Sequence, residues 1–257
     1  MLEVVLLGCM CIFAAVVTLL VVSNLPTKHT TPVSSPGGGG DDSGDDGGGE
    51  LPALPEWATK DTSPDRAPQY AANKKLVQGA GNTQYDVVLY GDSITAALAA
   101  KFTKEWDTFA GGWKAAPLGV GGNTVQELTW RMMVGGEKFK KDPRVVIVLI
   151  GVNNLDYIDR AGSPVDKLDF LLGWMRKAMP TSKIIVLNVL PTSRNTLVGS
   201  TNAKYKSLAA KHGAEFSTCG SDLDPASTAQ FSDGLHPASA GYTKLFKCLK
   251  PVVSGLL

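Results

Sequence analysis

From residue 57 onward, short apolar, β-branched runs alternate with longer stretches whose apolar positions recur at helical spacing. Tyr85–Tyr90 is the first such run and predicts a strand, and Ile94 to Trp106 then suits a helix. Ala115–Val120 predicts a short strand, followed by a helix over Thr124–Met133. Arg144–Ile150 reads Val-Val-Ile-Val-Leu-Ile after its arginine, the near-continuous apolar run of a strand covered on both faces. Val165, Leu168, Leu171, Leu172 and Met175 form one stripe, with Asp166, Lys167, Arg176 and Lys177 on other faces, so a helix is expected there. Ile184–Leu190 predicts another buried strand, stopped by Pro191. A helix near Asn202–His212, a short strand near Ala214–Ser217 and a last helix near Ala238–Val253 complete the series. Strand–helix alternation of this kind implies an α/β domain over residues 57–257: three layers, with a doubly wound, flavodoxin-like parallel sheet of about five strands.

The pattern before residue 57 is different. Val4–Val22 is an uncharged apolar run of 19 residues, about 28 Å as a helix and close to one bilayer core. It is long for a signal-peptide core and no basic segment precedes it, so residues 1–23 are expected to be an uncleaved anchor, with cleavage after Ser23 as the alternative. Residues 24–56, with Gly37–Gly40, Asp41-Asp42-Ser43-Gly44-Asp45-Asp46 and Gly47–Gly49, have little to bury and read as a tether. Together these features predict a single-pass membrane protein with its α/β domain in a secretory lumen or outside the cell, or a secreted protein if the first segment is removed.

Charge and cysteine content change the picture little. After position 50 there are 24 basic and 18 acidic residues, and no basic run is interleaved with aromatics, so no nucleic-acid partner is expected. Cys219 and Cys248 have no metal-type spacing; a disulfide and two buried thiols are both compatible with the sequence.

Four stretches carry candidate chemistry. Val87-Val88-Leu89-Tyr90-Gly91-Asp92-Ser93-Ile94 is a strand that meets a glycine and then presents Ser93 at the start of a helix, at the sheet edge where open α/β folds bind ligands. Asp233-Gly234-Leu235-His236-Pro237 places a carboxylate three residues before a histidine, near enough to hold one imidazole nitrogen and leave the other to take a serine proton. Of the other histidines, His29 lies in the tether, and His212 near a helix end suits a surface role. Gly119-Val120-Gly121-Gly122-Asn123-Thr124 lacks the Gly-Lys-Ser/Thr ending of a phosphate loop; its glycines permit a backbone N–H to approach a reacting oxygen. In Gly151-Val152-Asn153-Asn154, Asn153 is a neutral amide donor for a developing oxyanion, and Asn154 reads as a loop stabiliser.

Ser93 in Gly-Asp-Ser-Ile, Gly122 in Gly-Gly-Asn-Thr, Asn153 in Gly-Val-Asn-Asn, and Asp233 and His236 in Asp-Gly-Leu-His resemble, in order, the four blocks of the SGNH (GDSL-type) hydrolases. The resemblance spans about Tyr85 to Leu249 and is nearest the platelet-activating-factor acetylhydrolase catalytic-subunit branch. Many members have Gly-x-Asn-Asp where this chain has Asn154, a difference bearing on loop geometry. The resemblance implies a serine esterase with a Ser93–His236–Asp233 triad, an oxyanion hole of Ser93, Gly122 and Asn153, and no metal or organic cofactor. Short polar loops and the lack of a long apolar lid favour a small-molecule partner, a short-chain (acetyl) ester of a carbohydrate or lipid. An acyltransferase, a lysophospholipase or thioesterase on the same triad, and a non-catalytic binding module are the alternatives; oligomeric state is not legible.

Overall fold

A computed structural model describes residues 50–257. In chain order the elements are α1 (Ala67–Ala80), β1 (Val87–Gly91), α2 (Ser93–Ala100), α3 (Thr103–Ala110), β2 (Ala115–Gly119), α4 (Val125–Met133), β3 (Val145–Leu149), α5 (Val152–Asp156), α6 (Ile158–Ala161), α7 (Pro164–Ala178), β4 (Lys183–Leu187), α8 (Val198–Lys211), β5 (Glu215–Ser217) and α9 (Ser239–Ser254). The five strands form one parallel sheet in the order β2-β1-β3-β4-β5. β1 and β3 are buried at every position, which is why their sequences are continuously apolar rather than alternating.

The chain moves from β1 outward to β2, then returns past β1 to β3 and continues to β5. Right-handed crossovers therefore put α2 and α3 on one face and α4, α7 and α8 on the other. Packing agrees: α3 contacts α2 and α9, while α7 contacts α4 and α8. The reversal creates a crevice beyond the carboxyl ends of β1 and β3, the usual ligand site of such sheets. The three-layer α/β architecture expected from the sequence is the one observed.

Three local expectations need correction. The helix expected over Ile94–Trp106 is broken into α2 and α3 at Lys101-Phe102, where Phe102 turns inward and its ring lies 4.7 Å from that of Tyr242. α1 was not expected. It buries only Tyr70, Asn73 and Val77, and an asparagine in the buried stripe leaves little apolar periodicity to read. Asn153 lies in the short helix α5 rather than in a loop.

Single-pass membrane anchoring is also corrected. No helix among the described residues is long and apolar enough to cross a membrane. The longest of them, α9, has 16 residues and includes lysines, and at 1.5 Å per residue it falls short of a core about 30 Å thick. The Val4–Val22 run and residues 24–49 lie outside the described residues, so nothing described supports membrane association or a membrane-bound location.

Cys219 and Cys248 form a disulfide, with Cα atoms 5.5 Å apart, linking the segment after β5 to α9. His212 caps α8, and its Nε2 lies 2.5 Å from Asp169 Oδ1, which accounts for it structurally.

Candidate active site

β1 delivers Ser93 to the crevice through a tight turn. A Cβ on Gly91 would lie 2.5 Å from the Leu149 carbonyl and 2.2 Å from Thr95 Oγ1, so only glycine fits between β3 and the first turn of α2. Asp92 caps α2: its Oδ1 accepts from Ile94 N at 3.0 Å. Ser93 is the first helical residue, so its N–H has no acceptor within the helix and points toward the crevice end. Asp92 is buried, and Oδ2 has no hydrogen-bond partner. Burial pushes its carboxyl up to about 7, opposed by the Ile94 N–H and the nearby His236 and Arg131.

The loop between β5 and α9 supplies the other polar pair. Phe231 and Pro237 form an antiparallel bridge, and Ser232 N donates to the His236 carbonyl at 2.9 Å, so residues 232–236 form a closed tip. At that tip Ser93 Oγ lies 2.9 Å from His236 Nε2, and His236 Nδ1 lies 2.8 Å from Asp233 Oδ2. Asp233 Oδ1 accepts from Leu235 N at 3.1 Å and His236 N at 2.8 Å. Burial works against the Asp233 charge, but the backbone and side-chain hydrogen bonds of His236 and the Leu235 N–H outweigh it and hold the carboxyl at about 2. It is therefore an anion, a pure acceptor, throughout the neutral range, and the imidazole tautomer complementary to it is the one that carries its proton on Nδ1.

Gly122 and Asn153 lie on the same carboxyl side of the sheet, in the segments that follow β2 and β3. Gly122, with φ +71°, lies in the turn between β2 and α4, where a side chain would be strained and would crowd Arg66. Gly121 N donates to Gln69 Oε1 at 2.7 Å, fixing the turn against α1. Asn153 is buried on α5, and its Nδ2 donates to the Asn123 carbonyl at 2.8 Å. One amide hydrogen thus sets the plane of the group and the second remains for another acceptor. Asn154 performs the structural task expected of it: Oδ1 accepts from Val125 N at 3.0 Å and Nδ2 donates to Gln126 Oε1 at 2.9 Å, closing the start of α4.

All five candidates, Ser93, Gly122, Asn153, Asp233 and His236, thus come from the carboxyl side of one sheet. Two charged supports escaped the sequence reading. Arg131 is fully buried on α4; it donates to the Gly91 carbonyl at 2.8 Å, to the Leu118 carbonyl at 2.6 Å, and through both Nε and Nη2 to Glu137. It therefore ties the ends of β1 and β2 together just before Ser93 and the glycine turn. An arginine in the last turn of an amphipathic helix ordinarily reads as a surface complement to the helix dipole, so no local signal marks it. The second is Arg194, whose Nη2 lies 2.9 Å from Asp233 Oδ2.

The sequence model of the GDSL-like lipase/acylhydrolase family matches residues 89–244, more than half of the chain and all four blocks. The chain belongs to this family. Among its relatives, the alpha2 subunit of platelet-activating factor acetylhydrolase IB from Homo sapiens is 25% identical over 216 residues, covering 80% of this chain and 91% of the relative. A solved structure from Streptococcus pneumonia, described as a platelet activating factor, superposes with a TM-score of 0.63 at 18% identity, covering 73% of this chain and 92% of that one. The family 3 carbohydrate esterase of Clostridium thermocellum superposes at 0.52 and 18%, covering 68% and 99%. These two share the fold with this GDSL-type ester hydrolase.

Proposed function

We propose that this GDSL hydrolase cleaves short-chain acyl esters through a serine acyl-enzyme. Ser93 Oγ attacks the ester carbonyl as His236 Nε2 takes its proton; the imidazolium, held at Nδ1 by Asp233, returns that proton to the departing alcohol. Water then attacks the acyl-Ser93 carbonyl as His236 Nε2 takes its proton, and the imidazolium returns that proton to the departing Ser93 Oγ, releasing the acid and the free serine. The N–H groups of Ser93 and Gly122 and the side-chain amide of Asn153 receive the negative charge on the carbonyl oxygen. The observation that carries this reading is the unbroken Ser93–His236–Asp233 chain at 2.9 and 2.8 Å. A fluorophosphonate probe tests it: a single adduct mapping to the Ser93 peptide is expected, and labelling elsewhere, or none, overturns it.

Asn153→Ala removes a donor that gains most of its strength as the oxyanion forms. It is expected to lower kcat by about 10²–10³-fold with a much smaller change in KM. A loss confined to KM in steady-state assays with p-nitrophenyl acetate would remove Asn153 from the oxyanion hole.

For the substrate, two recesses flank the glycine turn. One is a groove of about 530 Å³ in which Ser93 meets Ala96, Ala97 and Ala100 of α2 and Gln69 and Ala72 of α1. The other, about 880 Å³, is lined by Gly122, Trp57, Asp61, Ser63, Gln126 and Lys167, among others. Its mixture of an indole, hydroxyl, amide and charged groups favours a polar alcohol such as a sugar over an acyl-chain lipid as the larger part of the ester. With acetyl, butyryl and octanoyl p-nitrophenyl esters, kcat/KM is expected to fall along the series. A rise toward octanoyl would reverse the assignment and place a chain in the alanine groove.

A further inference from the structure

The carboxylate that holds His236 is shared. Asp233 Oδ2 receives the imidazole Nδ1 at 2.8 Å and the Arg194 guanidinium at 2.9 Å. Arg194 comes from the segment between β4 and α8, which grips the tip of the Asp233 loop at other points. Ser193 N donates to the Gly234 carbonyl at 3.0 Å, and Thr192 Oγ1 donates to the same carbonyl at 2.9 Å. Arg194 N in turn donates to Thr192 Oγ1 at 3.1 Å. The contact is tight enough that a Cβ on Gly234, at φ +76°, would lie 2.2 Å from Ser193 Oγ. The backbone that carries Arg194 is thus fixed against the Asp233 loop, while the guanidinium itself is held by Asp233.

We propose that Arg194 is a positioning residue of the hydrolytic site, which acts through Asp233 to keep His236 neutral, and so competent as a base, at lower pH. This rests on the triad reading above. A carboxylate that gives one oxygen to both partners stabilises the imidazolium less than one reserved for it, and the fixed positive charge of Arg194 repels the imidazolium as well. Both effects act in the same direction. Side-chain exposures of 44% for Arg194, 39% for Asp233 and 35% for His236 mean that water and salt attenuate the interaction without abolishing it. Three other charged groups lie near: Asp92, buried and with its carboxyl pushed up to about 7, so that it favours the imidazolium only where it is ionised; Arg131, which is engaged by Glu137; and Glu105, which accepts from Ser239 Oγ three residues after His236 and is the same in parent and variant. Among the described residues, Arg194 is the exposed cation in direct contact with the His236–Asp233 pair.

The test is the pH profile of kcat/KM of the full chain with p-nitrophenyl acetate, for the parent, Arg194→Gln and Arg194→Lys, at low and at 0.5 M salt, beside Ser93→Ala. With Arg194→Gln the acid limb is expected to move to higher pH by about 0.5 unit at low ionic strength. The difference should shrink at high salt, and Arg194→Lys should restore most of it. A purely structural brace would change rate or stability without moving the limb. Superimposable acid limbs for parent and Arg194→Gln overturn the proposal, as does an equal displacement in Arg194→Lys. Parent-like turnover in Ser93→Ala would instead overturn the triad reading itself, so the two failures are distinct.

Discussion

Ser93→Ala is expected to reduce kcat for p-nitrophenyl acetate by about 10⁴-fold or more while leaving the circular dichroism spectrum and thermal midpoint close to those of the parent. The size follows from what the hydroxyl does. Without Oγ there is no covalent intermediate, and the substrate must be attacked by water that the site does not position. His236, the backbone donors and Asn153 all remain, so a residual rate above the uncatalysed one is expected from polarisation of the carbonyl alone. The folded state has little reason to object. Ser93 is only partly buried, its hydroxyl is bonded to the His236 ring, and α2 keeps its cap through Asp92. Alanine is also a favourable residue in a first helical turn. Turnover within tenfold of the parent would mean that another group attacks the ester, and the acyl-Ser93 mechanism would fall with it.

How much of this site is legible in a single sequence depends on the range of the interactions. Ser93 and Asn153 each follow a strand buried at every position, and such a strand announces itself through an unbroken apolar run such as Val145–Leu149. The turn after it is then located to within a residue or two. Gly122 instead follows the partly buried edge strand β2 and is legible through its run of glycines. Asp233 and His236 are legible for a different reason: they lie three apart in a Gly/Pro-punctuated loop, and their mutual bond is local. What connects these blocks is not local. Arg131 reaches the carbonyls of Gly91 and Leu118, 40 and 13 residues away, and Arg194 reaches Asp233 across 39. Neither partner's type or spacing encodes such a contact. The break between α2 and α3 was hidden in the same way. No glycine or proline marks Lys101-Phe102, and the turn there accompanies packing of Phe102 on Tyr242, 140 residues away in α9. Cys219 and Cys248 fall between these cases, since the residues are visible while the fold decides whether they meet.

Arg131→Met should be the most destabilising single change near the site, at about 3–5 kcal/mol. The side chain is fully buried and Glu137 is 1% exposed, so removing the guanidinium leaves a carboxylate without its counter-charge in a place water does not reach. The carbonyls of Gly91 and Leu118 lose donors in the same step, and replacing them from solvent is not available at that depth. For a domain of this size each kcal/mol shifts the melting point by roughly 2–4 °C, so a fall of order 10 °C is expected in calorimetry. The paired change Arg131→Met with Glu137→Leu distinguishes the causes. If the lone charge dominates, the double variant recovers much of the loss, because two apolar side chains need no partners. If the carbonyl ties dominate, it recovers little, and the double variant, though folded, should still show reduced kcat, since the ends of β1 and β2 that carry Ser93 and the glycine turn are no longer held together. A loss below 1 kcal/mol in the single variant would show that the buried pair is dispensable and that the strand ends are held by the sheet alone.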